Sequence, residues 1–296
     1  MPKTALLLLP CLFLILAAGL ADIRVNVNMT LVPVSVTDSY GRNVTGLSPA
    51  DFRVYDGTEE VPIASFTRTD LPITVGLVFD CSGSMREKFQ IAREAPGELF
   101  NQLSADDESF LVTVSTRAEL RHPLTGDFGD LQSALLFTHP DGTTSLLDGV
   151  YLALEQARKS PNRQKAVVVV SDGGENNSRY GVRDLARLAV EPDTQIFAAG
   201  LFEKPQSEEE ELGPGLLTRL CAKTGGVSFV IRNVSDLSSA MARIGSTLHN
   251  QYLLGYYPPD TSPPGKYRRI RVQLRLPRGL PALQIHARTG YYVPSR

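Results

Sequence analysis

At 296 residues the chain is long enough to bury a sizeable core and to hold one or two domains. Its formal net charge of −2 leaves no basic surplus for nucleic acid or an anionic membrane, and 42% hydrophobic with 21% charged residues is ordinary for a globular protein. No stretch after residue 21 is long and apolar enough to cross a bilayer.

Residues 1–21 stand apart. Lys3 gives a positive start, 6–16 form an apolar segment interrupted by Pro10, and Ala17, Ala18, Gly19 and Ala21 supply small residues for cleavage. This layout reads as a secretory signal peptide, with a retained anchor as the alternative. Cys11 follows Leu9 and Pro10 and lacks the small residues expected before a lipidated cysteine. The expected location is therefore exported: secreted, periplasmic or at the cell envelope. Cleavage leaves Cys81 and Cys221, which an oxidising compartment invites to pair. Cys81 falls at the carboxyl end of a strand and Cys221 in a helix running toward the opposite edge, so two unpaired thiols are expected, with Cys221 in the core.

Residues 22–70 read as short strands. Positions 24–28 alternate, 31–37 are rich in β-branched residues, 38–42 form a turn, 51–55 alternate again, and Asp56-Gly57 is a hairpin signal. From 71 the pattern becomes strand–helix alternation. The apolar run 73–79 reads as a strand buried on both faces of a parallel sheet. Helical spacing covers 87–103, bent at Pro96-Gly97. There follow a strand at 110–114, a short antiparallel edge strand at 117–121, a helix at 130–137 and a loop at 139–144. A helix at 145–159 leads to a second buried strand at 165–171, then a helix at 182–190 and a strand at 195–201. The acidic run 208–211 reads as a solvated loop. A helix at 216–223, the last parallel strand at 227–231 and a closing helix at 236–250, capped by Ser235 or Asp236, complete the unit.

After 251 strand signals return at 252–257, 267–276 and 283–292. By alternation, one tyrosine of Tyr256-Tyr257 and one of Tyr291-Tyr292 is core and its neighbour exposed. Strands with charged outer faces need a partner sheet. The expected fold is α/β: a doubly wound, mostly parallel sheet over 71–249 with right-handed crossovers. It is inserted in a small β-sandwich built from both chain ends, 22–70 and 250–296.

The chemistry gathers where strand 73–79 stops, at Asp80-Cys81-Ser82-Gly83-Ser84. Ligands of open α/β sheets bind at the carboxyl ends of strands. One carboxylate and two hydroxyls at alternate positions are hard oxygen donors suited to Mg²⁺ or a similar ion. The stretches Gly142-Thr143-Thr144-Ser145-Leu146-Leu147-Asp148 and Ser171-Asp172-Gly173 stand at two further loops. Together the three resemble a von Willebrand factor type A domain over about 71–249. The resemblance implies a metal-ion-dependent adhesion site (MIDAS) of Asp80, Ser82, Ser84, Thr144 and Asp172, with Thr143 the alternative to Thr144. Asp80 and Asp172 neutralise a divalent cation and the hydroxyls fill much of its shell. Mg²⁺ is expected, with Mn²⁺ and Ca²⁺ open. The resemblance also implies a protein partner whose Asp or Glu completes the coordination.

Residues 44–55, 62–66 and 287–292 further resemble secreted, Acidobacteria-type VWA-related proteins. The expected function is an exported, metal-dependent protein-binding module for adhesion or assembly. The alternative is a structural cell-envelope scaffold with a vestigial or purely stabilising metal.

Residue by residue, plainer readings exist. Asp80, Ser82 and Ser84 could cap the following turn, and Thr144 or Ser145 the next helix. An enzyme is not expected. A phosphatase nucleophile at Asp80 calls for a second Asp where Ser82 stands. No G-x-S-x-G elbow surrounds Ser82 or Ser84. His122, His139, His249 and His286 lie beside no triad motif, and neither a P-loop nor a zinc cysteine pattern is present.

Overall fold

The computed structural model describes residues 29–68, 71–190, 193–203, 208–259, 263, 265–275 and 282–293. The signal segment, the strand expected at 24–28 and the end of the strand expected at 267–276 lie outside these.

The chain enters in β1 (Thr30–Thr37), where Val32, Val34 and Val36 point into a core. β2 (Phe52–Asp56) and β3 (Glu59–Val61) form a hairpin, and Gly57 between them takes φ 66°, a left-handed conformation open to glycine at no steric cost. β4 (Ser65–Arg68) leads to β5 (Ile73–Asp80), buried along its whole length. Then come α1 (Phe89–Ala92), α2 (Pro96–Phe100), β6 (Glu108–Val114), β7 (Ala118–Thr125), α3 (Phe128–Leu136) and α4 (Leu146–Lys159). β8 (Gln164–Ser171), α5 (Val182–Val190), β9 (Thr194–Leu201), α6 (Glu208–Thr224), β10 (Ser228–Ile231) and α7 (Leu237–His249) follow. The chain closes with β11 (Tyr252–Tyr256), β12 (Tyr267–Leu274), β13 (Gln284–Ala287) and β14 (Gly290–Tyr292).

Six strands form one sheet in the order β10-β9-β8-β5-β6-β7. All its pairings are parallel except that of β7, antiparallel on the edge. Because helices cover both faces, the central strands are apolar throughout rather than alternating. Phe79, Phe89, Leu99, Leu131 and Ile244 pack on one face, and Val78, Val150, Leu154, Leu185 and Leu217 on the other.

Two four-stranded antiparallel sheets, β13-β1-β11-β4 and β14-β12-β2-β3, combine strands from both ends of the chain. Val34, Phe52, Val54, Tyr252, Leu254 and Ile270 lie between them. The α/β sheet inserted in a sandwich built from both ends is thus the architecture observed.

Three local expectations are corrected and a fourth is refined. The acidic run 208–211 is no loop but the start of α6, which continues through Pro214; carboxylates in a first helical turn are favoured by the macrodipole. The bent helix at 87–103 is two short helices, because Pro96 has no N–H to carry the ladder across. The strand at 283–292 breaks at Arg288-Thr289 into β13 and β14, which join different sheets. Asp236 stands at the N-cap of α7, one of the two positions expected, but makes no side-chain cap; the capping hydrogen bond lies one turn earlier, where the Asn233 side chain accepts from Ser235 N. Cys81 and Cys221 are both free and buried, and Tyr256 is buried while Tyr257 is exposed.

Candidate metal centre

β5 and β8 run side by side, Phe79 opposite Val170, so both strands release their loops at one edge of the sheet. Asp80 is the last residue of β5 and is fully buried. One of its oxygens accepts from the Ser82 backbone N–H (2.8 Å), the other from Ser171 Oγ (2.6 Å). Ser82 Oγ and Ser84 Oγ are 3.0 Å apart. Ser82 stands at the N-cap position of a 3₁₀ turn without capping it through its side chain, so its hydroxyl is not spent on the helix end.

The second loop is tied to the first through the backbone. Gly83 N donates to Gly142 O (3.0 Å) and Asp141 N to Cys81 O (2.8 Å). Thr144 is buried and Thr143 exposed, which favours Thr144 as the inward hydroxyl. The Thr144 N–H donates to Asn176 Oδ1 (3.1 Å), and its carbonyl accepts from Asn176 N (3.2 Å) and Asn177 N (3.1 Å). Ser145 is not a side-chain cap of α4 either; its hydroxyl donates to Ser115 O (2.7 Å).

Asp172 opens the third loop and is fully buried. Its Oδ1 accepts from Gly174 N (3.3 Å), while Oδ2 has no hydrogen-bond partner. A Cβ on Gly174 would lie 3.4 Å from Asp172 Oδ1 and 3.7 Å from Thr144 Oγ1, so the two oxygens flank one small space that glycine leaves open. Gly173, at φ 77°, and Gly213 of α6 let that helix press directly on the loop; a Cβ on Gly213 would stand 2.9 Å from the Asp172 carbonyl. The start of α6, read as a loop from sequence, is therefore a wall of the site.

Burial pushes the Asp80 carboxyl up to about 7, the charge of Asp172 adds to this, and the hydrogen bonds from Ser171 and Ser82 oppose it. Two adjacent buried carboxylates call for positive charge. Lys88, 8% exposed, supplies one: its Nζ lies 3.6 Å from Asp172 Oδ2.

No cluster of three or more His, Cys, Asp or Glu side chains poised for a metal exists among the described residues. The side chains expected as donors are two carboxylates and three hydroxyls, an all-oxygen set that suits Mg²⁺, Mn²⁺ or Ca²⁺ better than a nitrogen- and sulfur-seeking ion. The orphaned Asp172 oxygen and the space at Gly174 fit a cation. Cys81 contributes no thiolate, since burial pushes its thiol up to about 12. His139 is exposed on its loop.

Sequence reasoning missed Ser171 as a partner of Asp80, Asn176 as the clamp of Thr144, and Lys88. The last had a signal: Met85, Lys88, Phe89 and Ala92 follow i, i+3, i+4, i+7 spacing, which places Lys88 on an inward stripe.

The von Willebrand factor type A domain family matches residues 75–175. A von Willebrand factor type A protein from Catenulispora acidiphila is 12% identical, with 90% of this chain and 75% of that one covered at a TM-score of 0.54. Proximal thread matrix protein 1 from the mussel byssus, solved with a zinc-occupied MIDAS motif, is 17% identical and covers 65% of this chain and 49% of its own at 0.53. A point mutant of the PilB minor pilin from Streptococcus sanguinis is 14% identical, covering 75% and 79% at 0.50. At these identities the likeness is one of fold. No curated protein matches the chain.

Proposed function

We propose that the chain, whose residues 75–175 match the von Willebrand factor type A domain family, is a divalent-metal-dependent protein-binding module. In this reading Asp80, Ser82, Ser84, Thr144 and Asp172 hold the ion, Mg²⁺ first and Mn²⁺ or Ca²⁺ next. The observation that carries it is the convergence of two buried carboxylates and three hydroxyls from three loops, with one Asp172 oxygen left without a hydrogen bond. When bound, the ion supplies an electron-poor centre to which an Asp or Glu of a partner protein adds as a further ligand.

The chain's own residues do the rest. Ser171 and the Ser82 N–H hold Asp80 in place, and Asn176 fixes Thr144. The surrounding loops set specificity. The functional unit is 71–249, carried on the sandwich of 22–70 and 250–296, and 1–21 directs export to the cell envelope or beyond. Among the described residues no helix is long and apolar enough to cross a membrane. The role is binding rather than turnover: Asp80 is buried with both oxygens engaged, which suits a ligand better than a nucleophile.

Thermal unfolding in EDTA and then with Mg²⁺ tests the site, alongside Asp80→Ala. At about 100 times the dissociation constant, a ligand adds roughly 2.7 kcal/mol. An upward shift in the parent, absent in Asp80→Ala, is expected. No shift with Mg²⁺, Mn²⁺ or Ca²⁺ turns the reading to a scaffold. Pull-downs recovering the same partners with and without EDTA overturn metal-dependent binding.

A further inference from the structure

Lys88 lies four positions beyond Ser84, on the turn before α1, with Met85, Phe89 and Ala92 on the same inward stripe. A lysine in such a position keeps its charge only where opposite charge compensates for lost water. Three acids lie around the loops of the site, one of them beside Lys88. Asp80 and Asp172 are fully buried, and Glu210 of α6 is 6% exposed, its Cγ 4.0 Å from the point where Gly174 would carry a Cβ. The Lys88 ammonium stands 3.6 Å from Asp172 Oδ2, the oxygen with no hydrogen bond. That is also an oxygen available to a metal ion.

We propose that Lys88 is the internal counter-cation of the metal-free site, and that it sets the affinity for a divalent ion by competing with the ion for Asp172. The inference rests on the five-residue metal reading and goes beyond it. A fixed positive charge within a few ångströms of an incoming cation disfavours its entry, and more so in a dry site than in water. Lys88 thus keeps the apo fold intact and holds metal affinity down. Affinity for the ion therefore depends on one side chain outside the ligand set.

The test is Mn²⁺ titration calorimetry on the full chain: parent, Lys88→Met and Lys88→Arg, with Lys88→Gln as a second neutral variant should the methionine one not fold. Removal of the charge is expected to tighten Mn²⁺ binding at least tenfold, while Lys88→Arg stays within about threefold of the parent, since it keeps the charge. Binding in the parent with no gain in either neutral variant overturns this inference alone. Absence of Mn²⁺ binding in the parent and both neutral variants overturns the metal reading and the inference with it. A metal-free readout accompanies the titration. In EDTA, Lys88→Met and Asp172→Asn should each lower the melting temperature, and the double variant should recover much of the loss. Additive losses overturn the pairing of Lys88 with Asp172.

Discussion

Asp56 illustrates how one buried carboxylate fastens two sheets. It ends β2, yet it accepts from Tyr256 OH of β11 in the opposite sheet (3.1 Å), from Tyr291 OH of β14 (2.8 Å) and from Arg268 Nε. Burial and then the Asp56 contacts push both phenols upward, so they stay protonated donors. Asp56→Ala takes one carboxylate partner from the half-buried Arg268 and the acceptor from two phenols, and should cost about 3 kcal/mol. Tyr256→Phe removes one neutral donor and should cost about 1 kcal/mol. Urea midpoints read both; equal losses would mean the charge pair is not the fastening. Asp107 makes the matching case for pH. Burial works to raise its carboxyl, but His249 at 3.0 Å and the N–H groups of Ile73 and Ser104 outweigh it and hold the group below its ordinary value. A depressed folded value means stability that is full above about pH 4, the unfolded value, and is lost as pH falls through the folded one. Asp107→Asn should therefore be less stable than the parent at pH 7, by about 1–3 kcal/mol. The gap should close below about pH 4; a gap constant from pH 7 to 2.5 would refute the linkage. At this scale the acids and hydroxyls of the candidate site were legible because they interrupt apolar strands abruptly. Lys88 was overlooked although its spacing with Met85, Phe89 and Ala92 points inward, because a lysine beside Glu87 reads first as solvated.

Between elements, spacing decides function. α4 crosses the sheet at Gly149, where a Cβ would fall 2.2 Å from Val114 Cγ2 and 3.3 Å from Val78 Cγ1. Helix propensity alone favours alanine there by about 1 kcal/mol. Forcing a methyl into a packed core costs about 1–3 kcal/mol, so Gly149→Ala should destabilise on balance. It should also weaken metal binding, because α4 begins two residues after Thr144 and moves with it. An alanine variant that melts higher than the parent would show that α4 has room to approach. The same closeness explains what the sequence concealed. Central strands were legible, since helices on both faces demand unbroken apolar runs. α6 was hidden because four glutamates and a Pro-Gly pair look like a solvated break. Only in three dimensions do the acids meet a helix N-terminus, and Gly213 meet Gly173. The final strand was misread as continuous because β13 and β14 keep one alternation while changing sheets at Arg288.

Across the whole molecule, the α/β unit and the sandwich share side chains rather than a mere tether. Arg288, 6% exposed, pairs through Nη1 with Asp193 before β9 and donates through Nη2 to Leu31 O of β1 (2.7 Å). Gln251, just past α7, donates to Gln195 Oε1 of β9 (2.8 Å) and Ser35 Oγ of β1 (3.2 Å). β1 also finds both its neighbours, β11 and β13, only beyond residue 250, so its pairings are long-range ones that span the inserted unit. Such shared contacts should make the parent unfold in one calorimetric transition, which an ion bound at the far end of the sheet should lift as a whole. Arg288→Met takes the guanidinium from Asp193 and a donor from the Leu31 carbonyl, which removes a buried link between the units. Two transitions should then appear, of which only the one belonging to the α/β unit rises with Mg²⁺, because the sandwich no longer shares its stability. A single transition in Arg288→Met that still moves entire with Mg²⁺ would refute Arg288 as the coupling and assign it to the remaining links, Gln251 and the contacts of α7 with Asn43 and Gly41.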